Sequence, residues 1–418
     1  MSAHKTVIGI AVLAVLTLAG CKKAPLPDSL CPDQPLPASA AVPSGQGGIE
    51  VLASTDGYFY VLDGAGKQVG SHAVNGVLAV KPGDYQVKLN NSVHAVTAQA
   101  GTLSKCQTGA VLVSGKTDEY YYVLDGAGTQ LASSHLGASL SLFPAGYRVR
   151  LNNTEATADI AAGGTTELKS GTVNVQADTD EYYYVFDSGA RQLASSHVGR
   201  PISLFAGTYT LKVNNTQAQG DVRAGEALSL PTGTLVAKGS TDEYYYVFDQ
   251  AGAQLASAHF ERPLAFFPGS YSVKVNNTKA PATVAAATAT EITTGSLVLQ
   301  GTTDEYYYVF DAGGNQLASA HLARPVSLVP GEYLAKVNGA PVPVRIEAGR
   351  RSDYPLGTLT ISSTKSDYYY VFDQGGRQLA SKPLNQSISL PAGKYSVKVG
   401  NDSRSVVLTT GRPVAVRW

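Results

Sequence analysis

Methionine is almost missing from this 418-residue chain: Met1 is the only one. If residues 1–20 are removed by processing, the remainder has no thioether to oxidise. That suits an exposed location and equally fits the copying of one Met-free unit. Charge is scarce as well. Charged residues make up 15% of the chain, with 32 basic and 32 acidic side chains in balance. A chain near neutrality has no electrostatic case for nucleic acid. It also lacks the charge excess and low hydrophobicity of a disordered protein. Beyond residue 18 no run reaches the roughly 18 apolar residues of a membrane-spanning helix. No G-x-S-x-G elbow, phosphate loop or H-E-x-x-H is present. Nearly every chemically capable side chain recurs five or six times in one context, whereas an enzyme gathers distinct residues at one pocket. The expectation is a protein with no catalysis, no cofactor and no metal.

The first residues set the compartment. His4 and Lys5 precede an apolar run from Val7 to Leu18, the layout of a signal peptide. Leu18-Ala19-Gly20-Cys21 then resembles the lipobox of bacterial lipoproteins, against the alternative of an ordinary signal peptide with an incidental cysteine. The resemblance implies a mature chain that starts at a lipid-modified, palmitate-bearing Cys21. Lys22 and Lys23 follow, and Lys directly after the cysteine resembles the outer-membrane default of Gram-negative lipoproteins. The expected location is exported and lipid-anchored at the cell outer membrane, with the face left open. Residues 21–47 read as a tether. Pro25, Pro27, Pro32, Pro35, Pro37 and Pro43 lie there among Ala, Ser and Gly. Such a composition favours extended polyproline-like backbone, with a reach of about 80 Å. Cys31 and Cys106 remain; outside the cytoplasm they can pair and pin the tether, or stay as two thiols.

The rest of the chain repeats. The acidic residue before each tyrosine cluster falls at Asp56, Asp118, Asp180, Asp242, Asp304 and Asp367, a spacing of 62 four times and then 63. Each unit begins near a glycine: Gly48, Gly109, Gly171, Gly233, Gly295 and Gly357. This divides the chain into residues 1–20, 21–47, 48–108, 109–170, 171–232, 233–294, 295–356 and 357–418. Within a unit the apolar period is two, as in Tyr271, Val273 and Val275 alternating with Ser272, Lys274 and Asn276. That period predicts half-buried strands. Asp249-Gln250-Ala251-Gly252, Pro268-Gly269 and Asn276-Asn277 supply turns. The fold class expected is all-β: six tandem small β-sandwiches of six or seven strands each. A unit of about 60 residues is marginal alone, so neighbours are expected to touch.

Each unit carries L-x-x-P/A-G-x-Y-x-V-x-V or a close variant, for example Leu328 to Val337 and Leu390 to Val399. Together with the glycine-led first strand and the Ala224-Gly225 type of turn, this resembles the PEGA and carboxypeptidase-regulatory groups of small bacterial β-sandwich repeats. No P-E-G-A string is present. The resemblance implies a fold and a cell-envelope setting, with no substrate or catalytic residues.

Tyrosine is the abundant chemistry. Of 24, 17 lie in the clusters that precede Val-Phe/Leu-Asp. Six more, Tyr85, Tyr147, Tyr209, Tyr271, Tyr333 and Tyr395, follow the P/A-G-x turn and read as structural, with the hydroxyl bonding nearby backbone. In each triplet residues 1 and 3 share a strand face. Phe59 replaces the middle tyrosine in the first unit, which assigns that position to the core. The outer pairs are the candidate ligand-binding residues: Tyr120 and Tyr122, Tyr182 and Tyr184, Tyr244 and Tyr246, Tyr306 and Tyr308, Tyr368 and Tyr370. They share a face with Leu124 and its equivalents, and either pack on a neighbouring unit or form an aromatic ledge. His72, His135, His197, His259 and His321, with Lys382 in the sixth unit, read as polar strand-end residues. One histidine per unit is not a metal site. The Thr-Asp-Glu stretch before each cluster reads as loop capping, since two or three carboxylates supply only part of a calcium shell. Val414 to Trp418 reads as the closing strand of the last unit, too short for a barrel strand. Two functions follow: a structural or multivalent protein-interaction array, or an array binding peptidoglycan or polysaccharide through the outer tyrosines. The partner is thus an envelope protein or a glycan.

Overall fold

The computed structural model describes residues 30–418 apart from Ser366. The targeting segment, Cys21 and the start of the tether lie outside the described residues. Among the described residues the regular structure is all strand, in repeated pairs of small sheets. No helix there is long and apolar enough to cross a membrane.

The fourth repeat shows how the sequence folds. Its seven strands are Gly233–Lys238, Tyr244–Phe248, Gln254–His259, Leu264–Phe266, Gly269–Val275, Thr278–Val284 and Ala289–Thr293. The first strand is the centre of a three-stranded sheet, antiparallel to the fourth and parallel to the seventh. The tyrosine strand lies inside a four-stranded antiparallel sheet, between the third and fifth strands, with the sixth beyond. Period-two alternation then points Leu235 and Ala237 from one sheet at Tyr245, Val247, Val273 and Val275 from the other. Full burial of each large apolar side chain contributes roughly 1.5–3 kcal/mol. Residues 279–292, rich in alanine, fall in the sixth and seventh strands and the turn between them, where Ala287 sits at φ 54°.

The leading glycine is a requirement of this packing. A Cβ at Gly233 would collide with the carbonyl oxygen of Ala285, and Gly171 and Gly295 meet Arg223 and Glu347 in the same way. In the first repeat the position belongs to Gly47, where a Cβ would strike the Gln99 carbonyl. The first strand is accordingly Gly47–Leu52, one residue ahead of the start expected at Gly48.

The end of the Pro-rich segment is part of the first repeat's sheet. Asp33–Pro35 is a strand paired antiparallel with Thr102–Gln107. Ser104 donates its hydroxyl to Asp33 at 2.6 Å, and Cys31 and Cys106 are joined by a disulfide. Extended backbone rich in proline can occupy a sheet edge, where a missing N–H leaves no ladder bond unmade. Composition alone does not reveal that pairing.

The chain forms two compact units. One holds the described residues up to Val111 with Ser139–Tyr147 and Ala158–Thr166; the other holds Leu112–Ala138, Arg148–Thr157 and Glu167–Trp418. The third to sixth repeats thus lie wholly in the second unit.

Candidate functional site

The tyrosine strand has two faces with different fates. The middle residues Tyr121, Tyr183, Tyr245, Tyr307 and Tyr369 are fully buried, as is Phe59. Tyr245 donates its hydroxyl to the carbonyls of Arg262, at 2.6 Å, and Leu235, at 3.1 Å. Tyr307 does the same with Arg324 and Leu297. Burial pushes the Tyr183, Tyr245, Tyr307 and Tyr369 phenols well above their usual range, and a glutamate of the preceding repeat adds to the effect. The tyrosines after the glycine turn donate to the carbonyl four residues earlier, Tyr209 to Phe205 and Tyr333 to Val329.

The outer tyrosines face solvent, from 62% exposed at Tyr58 to 36% at Tyr122; Tyr246 is partly covered. The next residue in this alternation shares the face, as expected: Lys212, opposite Tyr184, lies 4.7 Å over the Phe186 ring, and Lys336, opposite Tyr308, lies 4.5 Å over the Phe310 ring. Opposite Val123 and Leu124 the third strand carries an extra residue, Leu131, whereas pairing with the fifth strand runs on without a break; Leu124 itself is buried. The same bulge recurs opposite Val185 and Phe186 and opposite Val247 and Phe248.

Sheet register builds one row across each repeat. The second outer tyrosine lies opposite a serine of the third strand and a cation of the fifth. The rows are Ser71–Tyr60–Lys88, Ser133–Tyr122–Arg150, Ser195–Tyr184–Lys212, Ser257–Tyr246–Lys274, Ser319–Tyr308–Lys336 and Ser381–Tyr370–Lys398. The cation was not singled out from the sequence. Its constant place 28 residues after the tyrosine is the signal that finds it.

The first outer tyrosine is held by its neighbours. Tyr120, Tyr244 and Tyr306 lie with ring centroids 3.8 Å from His135, His259 and His321, and Tyr182 lies 4.0 Å from His197. Each of these histidines points Nδ1 at the aspartate before the cluster: Asp118 and Asp304 at 3.0 Å, Asp180 and Asp242 at 3.2 Å. The repeated histidine is therefore a brace on the tyrosine ring. His72 and Lys382 do not belong to this set. His72 lies opposite Phe59 and Lys382 opposite Tyr369, one residue out of register, while Ala73 and Pro383 occupy the brace position. Among the described residues no group of three or more His, Cys, Asp or Glu side chains could hold a metal ion.

The Thr-Asp-Glu stretch does more than cap a loop, because its glutamate grips the next repeat. Glu243 accepts the backbone N–H of Ser327, 84 residues on, at 3.0 Å. Thr241 donates to the same carboxylate at 2.7 Å and lies 2.6 Å from the Ser327 hydroxyl. Asn276 completes the clasp, donating its amide to Glu243 at 3.2 Å and to the Ser327 carbonyl at 2.8 Å. The clasp recurs with Thr117, Glu119, Asn152 and Ser203. In the third repeat Thr179, Glu181 and Asn214 hold Ala265 through its backbone alone. Between the fifth and sixth repeats Glu305 accepts from Thr303 and Ser389 and pairs with Lys382 at 3.2 Å. The first repeat has Gly57 in the glutamate's place. There Asp56, at φ 82°, accepts the Ser141 N–H at 2.9 Å instead. Apolar packing backs the clasp: Ala265 and Phe267 join the core of the third repeat, and the Phe267 N–H donates to Thr216.

Where the third repeat meets the fourth, and the fourth meets the fifth, the tyrosine row looks into a cleft. Tyr182, Tyr184, Lys212 and Asn215 line one of about 610 Å³ against Leu255 and Ser257 of the fourth repeat. Tyr244, Tyr246, Lys274 and Asn277 line another of about 490 Å³ against Leu317 of the fifth.

No family profile and no curated protein sequence matches the chain. Solved structures give alignments at low similarity. The TIE protein of Bacillus anthracis is 10% identical over 74% of each chain, with a TM-score of 0.14. BcpA, the major pilin subunit of Bacillus cereus, in its D312A form, is 10% identical over 75% of this chain and 99% of its own, at 0.15. The pilus adhesin SpaC from Lactobacillus rhamnosus GG is 8% identical over 87% of this chain and 54% of its own, at 0.14.

Proposed function

We propose that the chain is a non-catalytic, lipid-anchored array of the cell envelope that engages its partner through many equivalent contacts. The observation that carries this is the serine–tyrosine–cation row, set by sheet register in all six repeats. A single site needs no sixfold copy. Weak contacts repeated along one chain gain avidity when the ligand can meet several of them. The clasp supports the same reading, since it fixes how one row follows the next within the second compact unit. Cys21 is the anchor in this reading, and the membrane is reached through its lipid.

Crosslinking in cells, with a photoreactive residue at Ser195, Ser257 or Ser319, tests it. The expected result is one envelope component captured from all three positions. Capture of cytosolic proteins alone, or a Cys21→Ser variant that fractionates with the membrane as the parent does, overturns it.

A further inference from the structure

The inter-repeat cleft places a sugar-sized aromatic face beside a fixed positive charge. Take the cleft after the third repeat. Its one lining carboxylate, Glu181, is engaged in the clasp. Lys212, Lys274 and Lys336 enter no ion pair among the described residues; Lys212 and Lys336 lie over the Phe186 and Phe310 rings, at 4.7 and 4.5 Å. Asn277 and Asn215 turn their amides toward carbonyls of the next repeat, at Gln316 and Leu255. The remaining chemistry is the Tyr184 ring with its polar tip, Lys212 directly across the strand from it, and the Ser257 hydroxyl on the facing wall of the fourth repeat. The volumes fall within the usual range for small-ligand sites.

From this we infer that the clefts bind an acidic polysaccharide, one uronic-acid-type residue per cleft. The pyranose ring stacks on the second outer tyrosine, its carboxylate meets the fifth-strand cation, and the serine takes a ring hydroxyl. An aromatic side chain offers area and a polar tip at low entropy cost. The lysine supplies the charge complement that a neutral glycan would leave unused. A repeating polymer also suits a repeating site, because successive residues can occupy successive clefts. Arg150 marks an internal contrast: Glu155 neutralises it at 3.0 Å, so the second repeat is the weak member of the series.

The inference rests on the array reading and specifies its ligand. The test uses the full chain in detergent, with alginate oligomers as the polyuronate probe, dextran as the neutral glycan and poly-L-glutamate as the charged non-sugar. Alginate is expected to bind at least about tenfold tighter than either control. Lys212→Gln, Lys274→Gln and Lys336→Gln together should weaken alginate binding by roughly tenfold or more. Tyr184→Ala, Tyr246→Ala and Tyr308→Ala should do likewise, with the melting transition unchanged for the lysine set. Equal binding of poly-L-glutamate reduces the site to bare charge and overturns the inference. Equal binding of dextran removes the carboxylate from recognition and also overturns it. Crosslinking that captures one envelope protein while alginate fails to bind sinks this inference and leaves the array intact; loss of both sinks the array.

Discussion

The fifth and sixth repeats share a core and differ at the clasp. Leu297, Leu299, Tyr307 and Val309 in one correspond to Leu359, Ile361, Tyr369 and Val371 in the other, all fully buried. The fifth repeat holds its successor with Thr303, Glu305 and Asn338. The sixth has no successor in this sequence and carries Lys365, Asp367 and Gly400 at those positions. Asp367 accepts the N–H of Tyr368 instead. The turn shows the separation most sharply: Asn338 sits at φ 47° and Gly400 at φ 56°. Both satisfy the left-handed turn, for which Asn and Gly are the usual choices. Only Asn also brings an amide. Columns that fold a repeat are therefore distinct from columns that join it to the next.

The largest break in this comparison lies at the other end of the chain, where the first repeat is secured covalently. Replacing Cys31 and Cys106 by Ser opens a loop of 75 residues, which costs about 4–5 kcal/mol in the chain-entropy treatment. Protection from hydrogen exchange should fall in residues 30–107 and be kept in the sixth repeat. Equal loss in both would refute a local role. Alkali should act on both kinds of repeat alike. Burial pushes Tyr147 and Tyr395 up to about 12, against roughly 10 in an unfolded chain. The neutral phenol is favoured in the fold, so this stability is complete below pH 10 and is lost as pH rises from 10 to 12. Each such tyrosine removes about 1.4 kcal/mol per pH unit in that window. Phenolate absorbance followed with circular dichroism should show these tyrosines ionising as the strands melt; ionisation with the fold intact contradicts the burial.

Glu243→Ala sharpens the contrast at a smaller scale. It strands the Ser327 N–H and part of the Asn276 amide, for about 1–3 kcal/mol. Asp367→Ala removes no inter-repeat bond and is expected within about 0.5 kcal/mol of the parent. Equal destabilisation in thermal melts would show that the glutamate column serves the repeat itself.

Much of the fold was legible because period-two alternation and turn residues act locally. The Phe59 substitution correctly placed the middle tyrosines inside; it left open whether the outer pairs pack on a neighbour or face solvent, and the structure exposes them. The bulge was not legible, since the tyrosine strand keeps its alternation and the extra residue, Leu131, sits in the partner strand. The histidine series was misregistered at both ends. Residue type matched His72 and Lys382 to it, whereas strand pairing depends on position. Asp367 was misassigned for the same reason: it stands 62 residues after Glu305, in the glutamate column. The clasp stayed hidden because its partners are 84 residues apart and lie in different copies. Its mark in the sequence is fixed columns of Thr, Glu and Asn, which local patterning cannot tell from loop capping.

The smallest expected effect isolates one amide. Asn276→Gly copies into the fourth repeat what the sixth already has at Gly400. The left-handed turn survives, and glycine at such a position is free of the steric cost borne by other residues. What disappears is the pair of hydrogen bonds to Glu243 and the Ser327 carbonyl, worth about 1 kcal/mol net. The loss should appear as faster exchange of amides at the joint, the Ser327 N–H first, with the Tyr244–Phe248 strand unaffected. Asn276→Asp tests the same point from the other side, because it keeps the turn propensity and sets a second carboxylate against Glu243. If glycine weakens the joint and aspartate weakens it further, the asparagine is retained for its donor. If glycine is silent, the column is a turn column only, and the fourth and sixth repeats differ there by nothing that matters to docking.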